Sequence, residues 1–347
     1  MNCLTRISLS LLALSVYTMP MFAEKIPNKE APNWNQALNQ LVTEHRDNLG
    51  LVGLGAMVMR DGEVIASAVA GERKHRSGIL LTDRDKWHIG SITKSFTATM
   101  IARLVERGEL DWDTTIGDIW GVSEGISESW QHVTLEHLLT HTSGAARDVT
   151  FPWFFKEPDE GPARMAARES IVLSFLNDEP KFPAGGRFFY SNAGIVIAGV
   201  MAEKTTGLPW EELIRKEIFA PLGIQSGGFG APKGHSGMLE QPRGHYNIFR
   251  FIVSADTEDD TSPVIGPAGT IHIALDELLI YANDHLQGKS GQGKLLEAET
   301  YQHLHKPILG DYAYGWVVKS HEDWANGPIM WHSGSNGLWY ALLVILP

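Results

Sequence analysis

Strand-like segments lie near both ends of this chain, and helix-like segments fill the stretch between them. Residues 54–60 and 64–70 are two short apolar runs separated by Asp61-Gly62. Asp-Gly between two such runs is a strong signal for a tight hairpin. At the other end, residues 314–319, 329–331 and 338–346 also read as strands. Residues 34–48 carry Trp34, Ala37, Leu38, Leu41 and Val42 at helical spacing. Residues 91–107 place Phe96, Met100, Ile101 and Leu104 on one helical face and stop at Gly108. Residues 193–204 are apolar nearly all round, the pattern of a buried helix. Strands, then helices, then strands do not fit alternating βαβ units. The order predicts an α/β (α+β) protein whose sheet draws on both chain ends, with a mostly helical insertion. The sheet part is assigned to residues 24–88 plus 265–347 and the helical part to residues 89–264.

With 347 residues the chain can bury a large core without covalent staples. Cys3 is its one cysteine, so beyond that position disulfides, thiolate metal sites and cysteine nucleophiles are excluded. The formal net charge is -12 and no Lys/Arg-rich run occurs, which argues against a nucleic-acid partner. Residues 1–23 combine Arg6, an apolar run over 7–16 and a terminal Ala23, the pattern of a secretory signal peptide. The apolar run is too short for a membrane span. The mature chain is therefore expected to be secreted or periplasmic, with no stable membrane span.

Three short motifs suggest chemistry. In Ser91-Ile92-Thr93-Lys94, helical geometry brings positions three apart onto one face, so a lysine can reach the serine hydroxyl. Serine needs a base to become a nucleophile, and lysine can be that base if burial lowers its pKa. At a helix N-terminus, free N–H groups stabilise developing negative charge. The bland alternative makes Ser91 a simple N-cap. In Tyr190-Ser191-Asn192, a phenol could relay protons and an amide could bind a substrate carbonyl; alternatively Asn192 caps the next helix. His332-Ser333-Gly334 ends a strand, where a substrate backbone could lie alongside, and the N–H of Ser335 could join that of Ser91 as an oxyanion donor. Tyr281-Ala282-Asn283 repeats the tyrosine spacing in mid-helix and reads as packing, and Lys204 reads as a helix end. His137 and His141 lack the companions of a zinc motif and read as structural. Neither a metal nor a cofactor is expected.

Together the motifs resemble the serine β-lactamase and penicillin-binding-protein superfamily. The similarity is strongest to the branch of class C β-lactamases, D-Ala-D-Ala carboxypeptidases, D-aminopeptidases and related esterases. It is carried by the segment from Trp87 to Phe96, by Leu138-Leu139-Thr140-His141-Thr142-Ser143-Gly144, and by Phe182-Pro183-Ala184-Gly185 ahead of Tyr190. The resemblance implies a β-lactamase-like fold with an antiparallel sheet flanked by helices. It implies Ser91 as the acylated serine, Lys94 as base and Tyr190 as proton relay to the leaving group. Asn192 would bind the substrate amide, His332, Ser333 and Gly334 would form the substrate-side strand, and the amides of Ser91 and Ser335 would form the oxyanion hole. The expected function is an exported serine hydrolase acting through an acyl-enzyme on small-molecule or peptide amides or esters, as a penicillin-binding-protein-like peptidase or esterase. A class C-type β-lactamase is the first alternative, and a non-catalytic peptidoglycan- or partner-binding module the second.

Two departures stand out. His332 occupies the place where many β-lactamases have lysine, and a histidine is only partly charged near neutral pH. The sequence also stops at Pro347 inside an apolar strand pattern, where family members usually continue. The chain reads as a fragment with an exposed sheet edge and face and an aggregation risk.

Overall fold

The computed structural model describes residues 33–121, 125–149, 158–234, 238–249 and 251–347. The expected signal peptide, residues 1–23, lies outside the described residues. The helix Trp34–Leu49 begins at Asn33, whose side chain accepts from the Gln36 N–H, and ends at Gly50 with φ 63°. The strands Gly53–Arg60 and Glu63–Gly71 pair antiparallel, with Gly53 opposite Gly71 and Arg60 opposite Glu63. Both turn residues have positive φ, 53° at Asp61 and 79° at Gly62. That is the twist-matched hairpin turn that Asp-Gly favours.

At the other end, Gly327–Ser335 is the middle strand of an antiparallel meander with Val317–Glu322 and Tyr340–Ile345. The first of these starts later than predicted, because Tyr314 and Trp316 are buried in the core. Gly315, with φ 82°, presses so closely on the helix Thr93–Glu106 that a Cβ there would lie 2.5 Å from the Ser95 nitrogen. A segment wedged against a helix cannot also pair as a strand. A third ladder joins Lys86–His88, Ile271–Ala274 and Gly228–Phe229.

Among the described residues, the hairpin and the meander do not hydrogen-bond to each other. They flank an apolar groove of about 1020 Å³, walled also by the helices Trp34–Leu49 and Leu275–Gly288. Gly53–Arg60 and Tyr340–Ile345 are each paired on one side only, so both present an edge.

The helical part packs densely. The helix Asn192–Thr206 is buried continuously from Ala193 to Glu203, as its all-round apolar sequence requires. The helix Pro162–Leu176 buries Arg168 completely. Its guanidinium donates to Glu211 at 2.7 Å and also to Glu203, so the buried charge is paired on two sides.

Candidate active site

Ser91 sits in a 3-10 turn, Gly90–Ile92, that leads into the helix Thr93–Glu106. Side chains three apart eclipse in a 3-10 turn, and the Lys94 ammonium donates to the Ser91 hydroxyl at 2.9 Å. Ser91 makes no capping hydrogen bond to the helix, so the N-cap alternative fails. Gly90 has φ +50°, and a Cβ on it would lie 2.3 Å from the Ser335 nitrogen. A Cβ on Gly334 would lie 2.5 Å from the Ser91 nitrogen. Only glycine at both positions lets these backbones touch, and that contact brings the amides of Ser91 and Ser335 to one spot.

Lys94 is fully buried and also donates to the Ala268 carbonyl at 2.6 Å. Burial disfavours its charged form and lowers its pKa to about 7, against a weaker opposing pull from Asp148. A substantial neutral fraction therefore exists at neutral pH. The Lys94 nitrogen lies 4.9 Å from the centre of the Tyr190 ring. Burial pushes the Tyr190 phenol up to about 12, partly offset by its interaction with the Ser91 hydroxyl.

In the second motif the alternative that Asn192 caps the helix fails. Ser191, not Asn192, caps the helix, accepting from the Gly194 N–H at 2.8 Å. Asn192 is the first helical residue, and its side-chain nitrogen donates to Asp148 at 2.6 Å. Its amide thus has a partner already in place.

His332 lies on the strand Gly327–Ser335 and is buried. Its Nδ1 is 2.6 Å from the Ser333 carbonyl and its Nε2 is 3.2 Å from the Tyr312 hydroxyl. Burial first, and Lys94 second, push its pKa down to about 3. The ring is therefore neutral at pH 7, which corrects the expectation of partial charge. In the neutral ring Nδ1 donates to Ser333, and Nε2 accepts from Tyr312. Gly334 is buried, whereas Ser335 is exposed and its hydroxyl accepts from the Gly337 N–H at 3.0 Å.

Two residues near the site escaped the sequence reading. His141, read as structural, is fully buried with φ 61°, and its ring lies tilted at 4.4 Å from Tyr190 and 4.6 Å from Tyr312. Its Nδ1 accepts from the Ser191 N–H at 3.2 Å, and burial holds its pKa well below the ordinary range. The Leu-Leu-Thr-His-Thr-Ser-Gly motif was the available signal. Tyr312 had none, since only the tertiary fold sets it against His332. The other readings behave as expected: His137 completes a capping box with Thr134, and Tyr281 stacks on Phe96 at 3.7 Å. Among the described residues no cluster of three or more His, Cys, Asp or Glu is placed to hold a metal, and no helix is long and apolar enough to cross a membrane. The large groove is not lined by Ser91, Lys94 or Tyr190.

Comparison with known proteins fits this arrangement. The model of the Beta-lactamase family matches residues 38–347. Penicillin-binding protein 4 of Amycolatopsis lactamdurans is 26% identical over 340 residues, covering 91% of this chain and 82% of its own length. Esterase EstB of Burkholderia gladioli is 28% identical over 215 residues, covering 57% of this chain and 51% of the esterase. Among solved structures, the octameric penicillin-binding protein homologue from Pyrococcus abyssi superposes with a TM-score of 0.74 at 22% identity, covering 90% of this chain and 70% of that one. The D-amino acid amidase from Ochrobactrum anthropi gives 0.68 at 20% identity, covering 90% of both chains.

Proposed function

Because this chain belongs to the Beta-lactamase family, within the serine β-lactamase and penicillin-binding-protein superfamily, we propose that it is a serine hydrolase that forms an acyl-enzyme at Ser91. The observation that carries this reading is the 2.9 Å contact between the Ser91 hydroxyl and a buried Lys94 whose pKa is near 7. A lysine with that pKa can be neutral and accept a proton, as an ordinary one cannot. The Ser91 oxygen attacks the substrate carbonyl while its proton passes to Lys94, directly or through Tyr190. The carbonyl oxygen takes up the electron pair between the amides of Ser91 and Ser335. Collapse of this intermediate breaks the bond to the leaving group, which receives the proton. Water then hydrolyses the Ser91 ester and restores the hydroxyl.

The substrate we favour is a small-molecule or peptide amide or ester of the kind a peptidase or esterase takes, rather than a β-lactam turned over rapidly. The supporting observation is His332, buried and neutral where a cationic lysine would hold a carboxylate more firmly. Penicillin-binding proteins, an esterase and an amidase among the relatives are compatible with that choice. We further propose that the mature protein is secreted or periplasmic, on the pattern of residues 1–23; a mature N-terminus near Glu24 supports it, and an uncleaved one overturns it.

Intact mass spectrometry after mixing with a penicillin, beside a Ser91→Ala control, tests the chemistry. A persistent adduct on Ser91 supports the peptidase-like reading. Rapid loss of adduct with drug consumed moves the assignment to a β-lactamase. If neither penicillin, short-chain esters nor D-amino-acid amides acylate Ser91, the protein is a non-catalytic binding module instead.

A further inference from the structure

The two backbone segments that meet at Gly90 and Gly334 are held together by a third. Asp260 lies between the strand Phe251–Ser254 and the 3-10 turn Pro263–Ile265, with its side chain 9% exposed. One carboxylate oxygen, Oδ1, accepts from the side-chain nitrogen of Asn336 at 2.7 Å and from the Thr261 N–H at 2.6 Å. The same oxygen is 3.3 Å from Nε2 of His88, which is fully buried. On the far side of that ring, Nδ1 accepts from the Gly90 N–H at 3.2 Å. With Nδ1 an acceptor, the ring N–H sits at Nε2, on the side of the carboxylate. Asn336 in turn accepts from the N–H groups of Leu338 and Trp339, at 3.1 and 3.0 Å, which closes the turn directly after Ser335. One carboxylate therefore packs against the His88 ring that holds the Gly90 N–H, and is hydrogen-bonded to Asn336 at the end of the Ser335 strand. His272, opposite His88 in its ladder, faces the same region but makes its own contact, 2.8 Å from the Gly230 carbonyl.

We infer, on the reading that Ser91 is acylated, that Asp260 is a positioning residue that sets the oxyanion pocket by tying the Ser91 turn to the end of the Ser335 strand. The two amides belong to segments more than two hundred residues apart, so local chain geometry cannot fix their separation. An oxyanion donor is effective only when aimed at the developing charge, and losing one such donor costs about 100- to 1000-fold in rate. Nε2 of His88 faces Oδ1 of Asp260 at 3.3 Å without making a hydrogen bond, and neither it nor the second oxygen of Asp260 has a hydrogen-bond partner among the described residues.

The test reads the acyl group itself. The parent, Asp260→Ala, Asp260→Asn, Asn336→Ala and the double variant Asp260→Ala/Asn336→Ala are acylated with a p-nitrophenyl ester carrying a 13C carbonyl. The infrared band of that carbonyl reports how strongly the pocket polarises it. We expect Asp260→Ala to move the band toward that of a free ester and to lower kcat about 100-fold, with KM changed less than about threefold. Asn336→Ala should move the band the same way, and the double variant should add little, since both act on one contact. Asp260→Asn should fall between, because its amide oxygen still accepts from Asn336; if Asp260→Ala does not fold, this variant and Asn336→Ala give the same readout. An unshifted band in folded Asp260 variants, with the parent acylated at Ser91, overturns this inference alone, as does a kcat loss that merely follows a lowered Tm. A parent that takes no acyl group on Ser91 overturns both the inference and the proposed function.

Discussion

The helix Thr93–Glu106 and the groove beside Gly53–Arg60 show two ways of being inside a protein. Along the helix the polar side chains are buried and partnered. Thr93 accepts from the Ile271 N–H at 3.1 Å, Thr97 donates to the Pro267 carbonyl at 2.7 Å, and Thr99 donates to the Ser95 carbonyl at 2.8 Å. Along the groove the residues are mostly apolar, yet Leu41, Val58 and Leu342 remain 46%, 43% and 49% exposed. Dense packing with satisfied polar groups makes a dry site of low effective dielectric, and that is what lowers the pKa of Lys94. The groove has volume, but its walls are mostly apolar and only partly buried. It reaches Ser335 at its edge but does not contain Ser91, Lys94 or Tyr190.

The sharpest way to break this comparison is at Ser91. We expect Ser91→Ala to lower turnover of any substrate by more than about 1000-fold with an unchanged circular dichroism spectrum; residual activity above that level contradicts the nucleophile assignment. Lys94→Met should cost about 100- to 1000-fold, and Lys94→Arg should not restore it, because guanidinium stays charged. In the parent protein kcat/KM should rise with pH through about 7, as Lys94 loses its proton, and Lys94→Met should abolish that limb. A limb unchanged by the substitution places the titration elsewhere.

Stability should show the same division. Arg168→Met leaves Glu203 buried without its cation and Glu211 with Arg164 alone, and should cost about 3 kcal/mol in denaturant unfolding. A loss below about 1 kcal/mol contradicts the idea that the pair is sealed from water. His285 is fully buried, with Nδ1 2.9 Å from His305 and Nε2 3.1 Å from Thr99, and burial lowers its pKa to about 3. The folded state resists its protonation more than the unfolded state does, so its contribution is complete above pH 6.5 and is lost as pH falls toward 3. By pH 5 the loss should be about 2 kcal/mol, and His285→Gln should flatten that part of the stability profile. The smallest effect is expected in the groove. Leu342→Lys should leave activity within about twofold while reducing self-association in sedimentation; a large activity loss would show that the groove and the site are coupled.

Much of this was legible in the sequence because it is local. Asp61-Gly62 dictates a turn between two apolar runs, and Ser91 and Lys94 share a face at any helical geometry. What the sequence left open was decided where side chains compete for the same local job. Ser191 took the cap position from Asn192, and Asn192 turned to Asp148 instead. His141 looked like half of a structural pair, because nothing within a few residues of it reveals Tyr190 or Tyr312.

By itself, then, the sequence determined the hairpin, the serine–lysine spacing, the family and the three motifs, since each depends on residues a few positions apart. The tertiary structure alone decided what those groups are chemically. Lys94 has a pKa near 7 because the fold buries it, against a weaker opposing pull from Asp148. His332 is neutral because the same burial, with Lys94 beside it, disfavours its charge. Asp260 reaches both His88 and Asn336 only once three remote segments have met. Spacing is a property of the chain, but desolvation is a property of everything packed around it.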